Sequence, residues 1–176
     1  MIVIQATSQH VPAIAKMAAE TFVENFGQYF TPEKLEAIVA KSYSHEQIQA
    51  DLDSGEQVHF LCNDADPEGL NPLGFCQIRC KDPRQASPEL SVEYPGPCWE
   101  IRRCYVLRGS QGKNAGSLLL EAVLSRVKEA GARTVWLLVL NENVKAQRFY
   151  EKFGLANTGH SFFYMAGPHS LLVKQL

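Results

Sequence analysis

The chain has 176 residues, enough for one domain with a sizeable core. Hydrophobic residues make up 45% and charged residues 20%, and 17 Lys and Arg against 19 Asp and Glu leave a net charge of −2. That balance argues against a nucleic-acid partner, which calls for a basic stripe. No apolar run reaches the roughly 20 residues a membrane span needs. The opening MIVIQATSQHV lacks the basic leader and long apolar segment of a signal peptide. The expectation is a single domain over 1–176, cytoplasmic and off the membrane.

In chain order, MIVIQA reads as a short first strand. SQHVPAIAKMAAETFVENF follows with Ile14, Met17, Ala18, Phe22 and Phe26 at helical spacing, capped by Thr7 or Ser8 and stopped by Gly27. Thr31 then Pro32 opens a second helix, TPEKLEAIVAKSY, and Ser44 caps a third that ends before Gly55. QVHFLCN and LGFCQIRC are strands separated by the turn-forming DADPEGLNP. A loop with four prolines, KDPRQASPELSVEYPGP, leads to the strand CWEIRRCYVL. The turn LRGSQGKN opens the helix AGSLLLEAVLSRVKEAG, and TVWLLVL is continuous enough to be a central buried strand. NENVKAQRFYEKFG is a helix closed by Gly154, and LANTGHSFFYMAG and SLLVKQL supply the last strands. This alternation is a mixed α/β domain. The five cysteines, Cys62, Cys76, Cys80, Cys98 and Cys104, form no CxxC pair and have no histidine at zinc spacing. They read as buried, reduced thiols, and no metal is expected.

The glycine-rich turn is built like an anion site, because a helix start offers unpaired N–H groups and the positive end of a dipole. A nucleotide P-loop would need glycine at Leu107 and Ser or Thr at Asn114. The dinucleotide pattern fails on the spacing of Gly109, Gly112 and Gly116. A third pattern, Q/R-x-x-G-x-G/A after a strand, reads here as Gln111, Gly112, Lys113, Asn114, Ala115 and Gly116. It resembles the pyrophosphate loop of the GNAT superfamily of acetyl-CoA-dependent N-acetyltransferases. Asn114 stands where that pattern has its first glycine, and asparagine is among the residues that most readily enter positive φ. Downstream, the strand VWLLVL and the run Asn143, Ala146, Phe149, Tyr150, Lys152 and Gly154 resemble the superfamily's N-x-x-A-x-x-F-Y-x-K-x-G. Asn143 and Tyr150 are two helical turns apart and share a face; Phe149 and Phe153 read as core. The phrases ETFVENF, EIRRCYV and TGHSFFYMAG are similar to the PaiA-type bacterial polyamine N-acetyltransferases.

The resemblance implies the GNAT fold, a mixed α+β domain whose largely antiparallel sheet of about seven strands has splayed middle strands and flanking helices. It implies an acetyl transfer from acetyl-CoA to an amine in a ternary complex, without metal. The pantetheine arm would lie between CWEIRRCYV and TVWLLVL, pairing with the backbone of Cys104, Tyr105 and Val106 and with Asn143. The pyrophosphate would sit on the N–H groups of residues 112 to 117, from Gly112 through Lys113, Asn114, Ala115 and Gly116 to Ser117. Tyr150 would be the acid for the thiolate. Glu100, eleven residues before Gln111, would be the base, unless it is a salt-bridge partner of Arg102 or Arg103. Alternation puts Glu100, Arg102, Cys104 and Val106 on one face. Leu138 stands where some members carry a carboxylate. A cationic acceptor would be met by carboxylates: Glu20 and Glu24 first, then Asp51, Glu89 and Glu93. His160 reads first as a plain surface or core residue. The favoured acceptor is a small amine or polyamine; a protein N-terminus or lysine is the alternative, and a non-catalytic acetyl-CoA sensor is the reading from another class. A homodimer is left open.

Overall fold

The computed structural model describes residues 1–64, 66, 68–86, 90 and 93–176. Its strands are β1 (Ile2–Gln5), β2 (Gln57–Asn63), β3 (Gly74–Cys80), β4 (Cys98–Val106), β5 (Thr134–Leu140), β6 (Ala156–Tyr164) and β7 (Gly167–Gln175). Its helices are α1 (Val11–Phe26), α2 (Pro32–Ser42), α3 (His45–Asp53), α4 (Ala115–Glu129) and α5 (Val144–Lys152). The strands form one open sheet in the order β1-β2-β3-β4-β5-β7-β6, a mixed α/β arrangement. Among the described residues no helix is long and apolar enough to cross a membrane. The described chain clusters into two compact units, Met1–Ile78 with Arg103–Val123, and Arg79–Arg102 with Leu124–Leu176.

In the first unit, Ile14, Ala18 and Phe22 on α1 pack with Ile48, Leu61 and Phe75 in one apolar cluster. The caps expected at Thr31 and Ser44 are present, their hydroxyls accepting from the N–H groups of Lys34 and Gln47. The start of α1 differs from expectation. A 3-10 turn at Ser8–His10 precedes it, and the Thr7 N–H donates to Nδ1 of His10. His10 is buried and its other ring nitrogen donates to the carbonyl of Glu68, so a side chain does there what a helical turn would have done. α1 does end before Gly27, as expected; the glycine is right-handed at φ −53°, and a 3-10 turn carries the chain on to Tyr29.

In the second unit, β5 pairs with β7 along its whole length, antiparallel. Its ladder to β4 is parallel and runs from Cys98↔Thr134 to Glu100↔Trp136. Six of the seven residues of β5 are buried, which is why the strand reads as a continuous apolar run. β6 and β7 form a hairpin closed by Met165 and Ala166, with Met165 at φ 47°. β7 therefore begins at Gly167, ahead of the Ser170 that apolar content suggests.

β3 and β4 carry an irregularity that alternation cannot reveal. The N–H of Leu107 donates to the carbonyl of Leu73, and that of Lys81 to Cys98. Eight residue steps separate Leu73 from Lys81, and nine separate Cys98 from Leu107. β4 thus holds one extra residue, a β-bulge. Phe75 and Arg79 lie on one face of β3; Phe75 meets Tyr105 and Arg79 meets Glu100. Residues 100 and 105 of β4 can share a face only if the extra residue lies between them. The single face expected for Glu100, Arg102, Cys104 and Val106 is corrected accordingly.

Candidate functional site

The glycine-rich turn lies wholly in the first unit. β4 ends at Val106, a 3-10 turn covers Arg108–Ser110, and Gln111 is extended at φ −65°, ψ 145°. Gly112 and Asn114 then take φ of 79° and 71°. Asn114 holds the left-handed backbone for which the pattern reserves a glycine, and its carbonyl accepts the N–H of Leu118 at 3.1 Å, as the first bond of α4. A helix start leaves the N–H groups of Ala115, Gly116 and Ser117 without an acceptor inside the helix and at its positive end. The Lys113 side chain is exposed, and its N–H makes a long bond of 3.4 Å to Ser110. The Gln111 amide folds back to donate to the Val106 carbonyl at 3.4 Å, which closes the turn onto the end of β4.

Asn114→Gly should leave stability within about 0.5 kcal/mol, since glycine suits both the left-handed conformation and the cap. Asn114→Val should cost about 1–3 kcal/mol, because a β-branched residue resists positive φ and cannot cap. Urea unfolding of the two variants checks this; equal stability of the valine variant would mean that the turn has another conformation.

The register behind the turn is tight. A Cβ on Gly74 would lie 2.8 Å from the Tyr105 carbonyl and 3.0 Å from Cγ2 of Val106, so only glycine lets β3 and α4 close on β4 there. With Leu73 opposite Leu107 as a hydrogen-bonded pair, Gly74–Val106 and Cys76–Cys104 are non-hydrogen-bonded pairs. The backbone N–H and C=O groups of Cys104 and Val106 therefore point to the edge of β4 away from β3. Tyr105 faces the other way, its ring 5.7 Å from that of Phe75. Arg103 is buried with its guanidinium 4.4 Å from the Tyr43 ring centroid, a cation–π contact.

In the second unit, Glu100 is buried and its Oε2 accepts from Nε of Arg79 at 2.5 Å. The salt bridge weighed for this residue exists, but its partner is Arg79 on the neighbouring strand, which spacing along β4 cannot disclose. Lys81 lies within reach of the same group. Its ammonium is pulled below its ordinary value by burial first and by Arg79 next, with Glu100 opposing and Arg102 adding. The carboxylate is thus held by Arg79, with Lys81 near enough to feel its charge.

Asn143 stands just outside α5 as its cap, exposed, with its Oδ1 accepting from the Ala146 N–H at 3.0 Å. That bond uses the oxygen and leaves the amide's Nδ2 as a donor. Its ψ of 61° is that of a cap, and its carbonyl accepts the N–H of Gln147 at 3.1 Å as the first bond of α5. Tyr150 is buried within α5, while Phe149 and Phe153, expected as core, are half-buried with rings 5.3 Å apart. Lys174 donates to the Phe153 carbonyl at 2.6 Å, and Gly154 turns at φ 83° to end the segment. Leu138 is half-buried against the Trp136 cluster.

The candidate acceptor acids separate. Glu20 and Glu24 are exposed on the outer side of α1. Glu93 is exposed and paired with Arg84 at 3.5 Å. Glu89 lies outside the described residues. Asp51 is corrected: it is buried, accepting from the side-chain amides of Gln47, Gln57 and Gln77 at 2.9, 2.8 and 3.0 Å. Such a carboxylate joins α3 to β2 and β3 and is not on offer to a ligand. His160 is half-exposed, whereas the unanticipated His169 is buried, its imidazole held below the ordinary value by desolvation against a bond to the Gly167 carbonyl. The thiols are all reduced; Cys62, Cys76 and Cys98 are buried, but Cys104 is half-buried and Cys80 exposed.

Residues 13–155 match the model of the acetyltransferase (GNAT) family. An uncharacterized N-acetyltransferase of Mycobacterium bovis is 35% identical over 80 residues, 44% of this chain; the match spans about half that relative, 51% of it. An uncharacterized N-acetyltransferase from Lactobacillus delbrueckii subsp. lactis is 24% identical over 164 residues, 93% of this chain and 88% of its own. Among solved structures, the PaiA N-acetyltransferase from Thermoplasma acidophilum, in complex with coenzyme A, superposes with a TM-score of 0.75 over 100% of both chains. At 15% identity that likeness shows the fold alone. A family model that runs from α1 to the end of α5, taking in the turn, β5 and the capped helix, makes this chain a member of the acetyltransferase (GNAT) family.

Proposed function

We propose that the protein is an acetyl-CoA-dependent N-acetyltransferase that acts on an amine by direct attack. The observation that supports this reading is the left-handed Asn114 at the mouth of α4, which takes the backbone conformation a glycine would take there. Acetyl-CoA supplies an activated acetyl thioester. Backbone N–H groups between Gly112 and Ser117 would hold its diphosphate, and the outward groups of Cys104 would pair with its pantetheine amides. Nδ2 of Asn143 would donate to the same arm.

Two protons must move. An alkyl ammonium, with an ordinary pKa near ~10, must lose one before it can attack. Glu100 would take it, directly or through water, with the oxygen that Arg79 does not hold. The departing thiolate must gain a proton, and the Tyr150 hydroxyl would give it; a phenol of ordinary pKa ~10 is protonated at neutral pH. The Val106 N–H would steady the oxyanion as the C–N bond forms and the C–S bond breaks.

The acceptor has two readings. Polyamines follow from the PaiA-like phrases, with the exposed Glu20 and Glu24 as their partners. The Arg79 and Lys81 cations beside Glu100 favour instead an amine that carries its own anionic group, because a polycation would be repelled there. Thiol release from acetyl-CoA, followed with spermidine, spermine, free amino acids and peptides, separates them. Turnover on spermidine with none on amino acids supports the first, and the reverse supports the second. Tight acetyl-CoA binding without turnover on any amine would sink the enzymatic reading and leave the sensor.

A further inference from the structure

The first unit holds a second chemical feature, which acetyl transfer does not use. Counting inward from the Leu73–Leu107 pair puts Gly74 opposite Val106, Phe75 opposite Tyr105 and Cys76 opposite Cys104. Contacts support each step: a Cβ on Gly74 would sit 3.0 Å from Val106, the Phe75 and Tyr105 rings are 5.7 Å apart on the other face, and the Cys76 side chain interacts with that of Cys104. The two cysteines therefore project from one face of adjacent strands at a non-hydrogen-bonded position. Cα atoms at such a position are about 4.5 Å apart, within the roughly 4.4–6.8 Å that a disulfide bridges.

We propose that Cys76 and Cys104 are an oxidation-sensitive cross-strand dithiol that closes to a disulfide when the protein meets a hydroperoxide. The Cys76 and Cys104 side chains lie close enough to interact. Burial and the neighbouring Cys104 push the Cys76 thiol well above its ordinary value, so Cys76 stays protonated. Cys104 is half-buried, the less enclosed residue of the two. Its sulfur attacks a peroxide oxygen as the thiol proton is shed, the O–O bond breaks, and the departing oxygen takes that proton and leaves as water or an alcohol, with Cys104 as the sulfenic acid. The Cys76 sulfur then attacks that sulfur, the S–O bond breaks, the S–S bond forms and a second molecule of water leaves. The peroxide is reduced by two electrons, and the two thiols are oxidised by two.

The test is peroxide treatment of the full chain in a Cys80→Ser background, which removes the exposed thiol, followed by intact mass and non-reducing peptide mapping. The expected product is two hydrogens lighter, with the Cys76 and Cys104 peptides joined and released by dithiothreitol. In a further Cys104→Ser variant the Cys76 thiol should survive the same treatment. Sulfinic or sulfonic acid at Cys104 with Cys76 still a thiol would overturn the proposal, as would loss of the Cys76 thiol in the Cys104→Ser variant. The readout is a covalent link, so it stands or falls independently of any acetyltransferase activity.

Discussion

Tyr150→Phe is expected to lower turnover about 10²–10⁴-fold, the usual contribution of a positioned acid, while acetyl-CoA affinity stays near that of the native protein. The ring of Tyr150 is buried in α5 and packs edge-on against Phe149 at 5.2 Å, so phenylalanine keeps the shape and removes only one oxygen. On the proposed mechanism that oxygen protonates the departing thiolate, an event confined to the transition state. Its loss should therefore appear in kcat and in kcat/KM to the same extent. A hydroxyl that served only the fold would give the opposite pattern, with a lower unfolding midpoint and an unchanged rate. Stopped-flow thiol release and equilibrium acetyl-CoA binding on the same variant separate the two, and an unchanged kcat would remove Tyr150 from the chemistry.

Where a function of the chain depends on backbone shape at one residue type, it was legible in the sequence. Asn114 could be expected to turn left-handed because asparagine tolerates that region, and it does so at φ 71°. β5 could be read as a central strand from seven apolar or β-branched residues in a row, and α2 and α3 from their caps. What stayed hidden depends on pairing between distant segments. The Arg79 partner of Glu100 lies 21 residues away on another strand, and the three amides around Asp51 come from one helix and two strands. The bulge in β4 leaves no composition signal, because EIRRCYV alternates equally well in either parity. Asp51 shows the cost of reading acids by charge alone: the same residue type serves as surface charge at Glu24 and as a buried acceptor here.

Trp136 is the position where a single truncation should do most damage to the second unit. It is fully buried among Leu90, Cys98, Leu171 and Val173, and its indole N–H donates to the Lys81 carbonyl at 2.7 Å. Trp136→Ala should cost about 3–5 kcal/mol through lost burial and the cavity it leaves. For a chain of this size that is a fall of roughly 6–20 °C in Tm. Trp136→Phe keeps an aromatic ring in the cluster and removes the donor, leaving the Lys81 carbonyl without its indole partner at a cost of about 1–3 kcal/mol. The difference between the two variants isolates packing from the hydrogen bond. The same bond ties the start of the proline-bearing segment to β5, as the Thr134 hydroxyl, donating to the Pro95 carbonyl at 2.7 Å, ties its end. If both ties matter, Trp136→Phe should speed proteolysis within residues 81–97 while α4 and α5 stay protected. Uniform loss of protection across the chain would mean instead that the indole N–H supports the whole fold rather than the segment it holds.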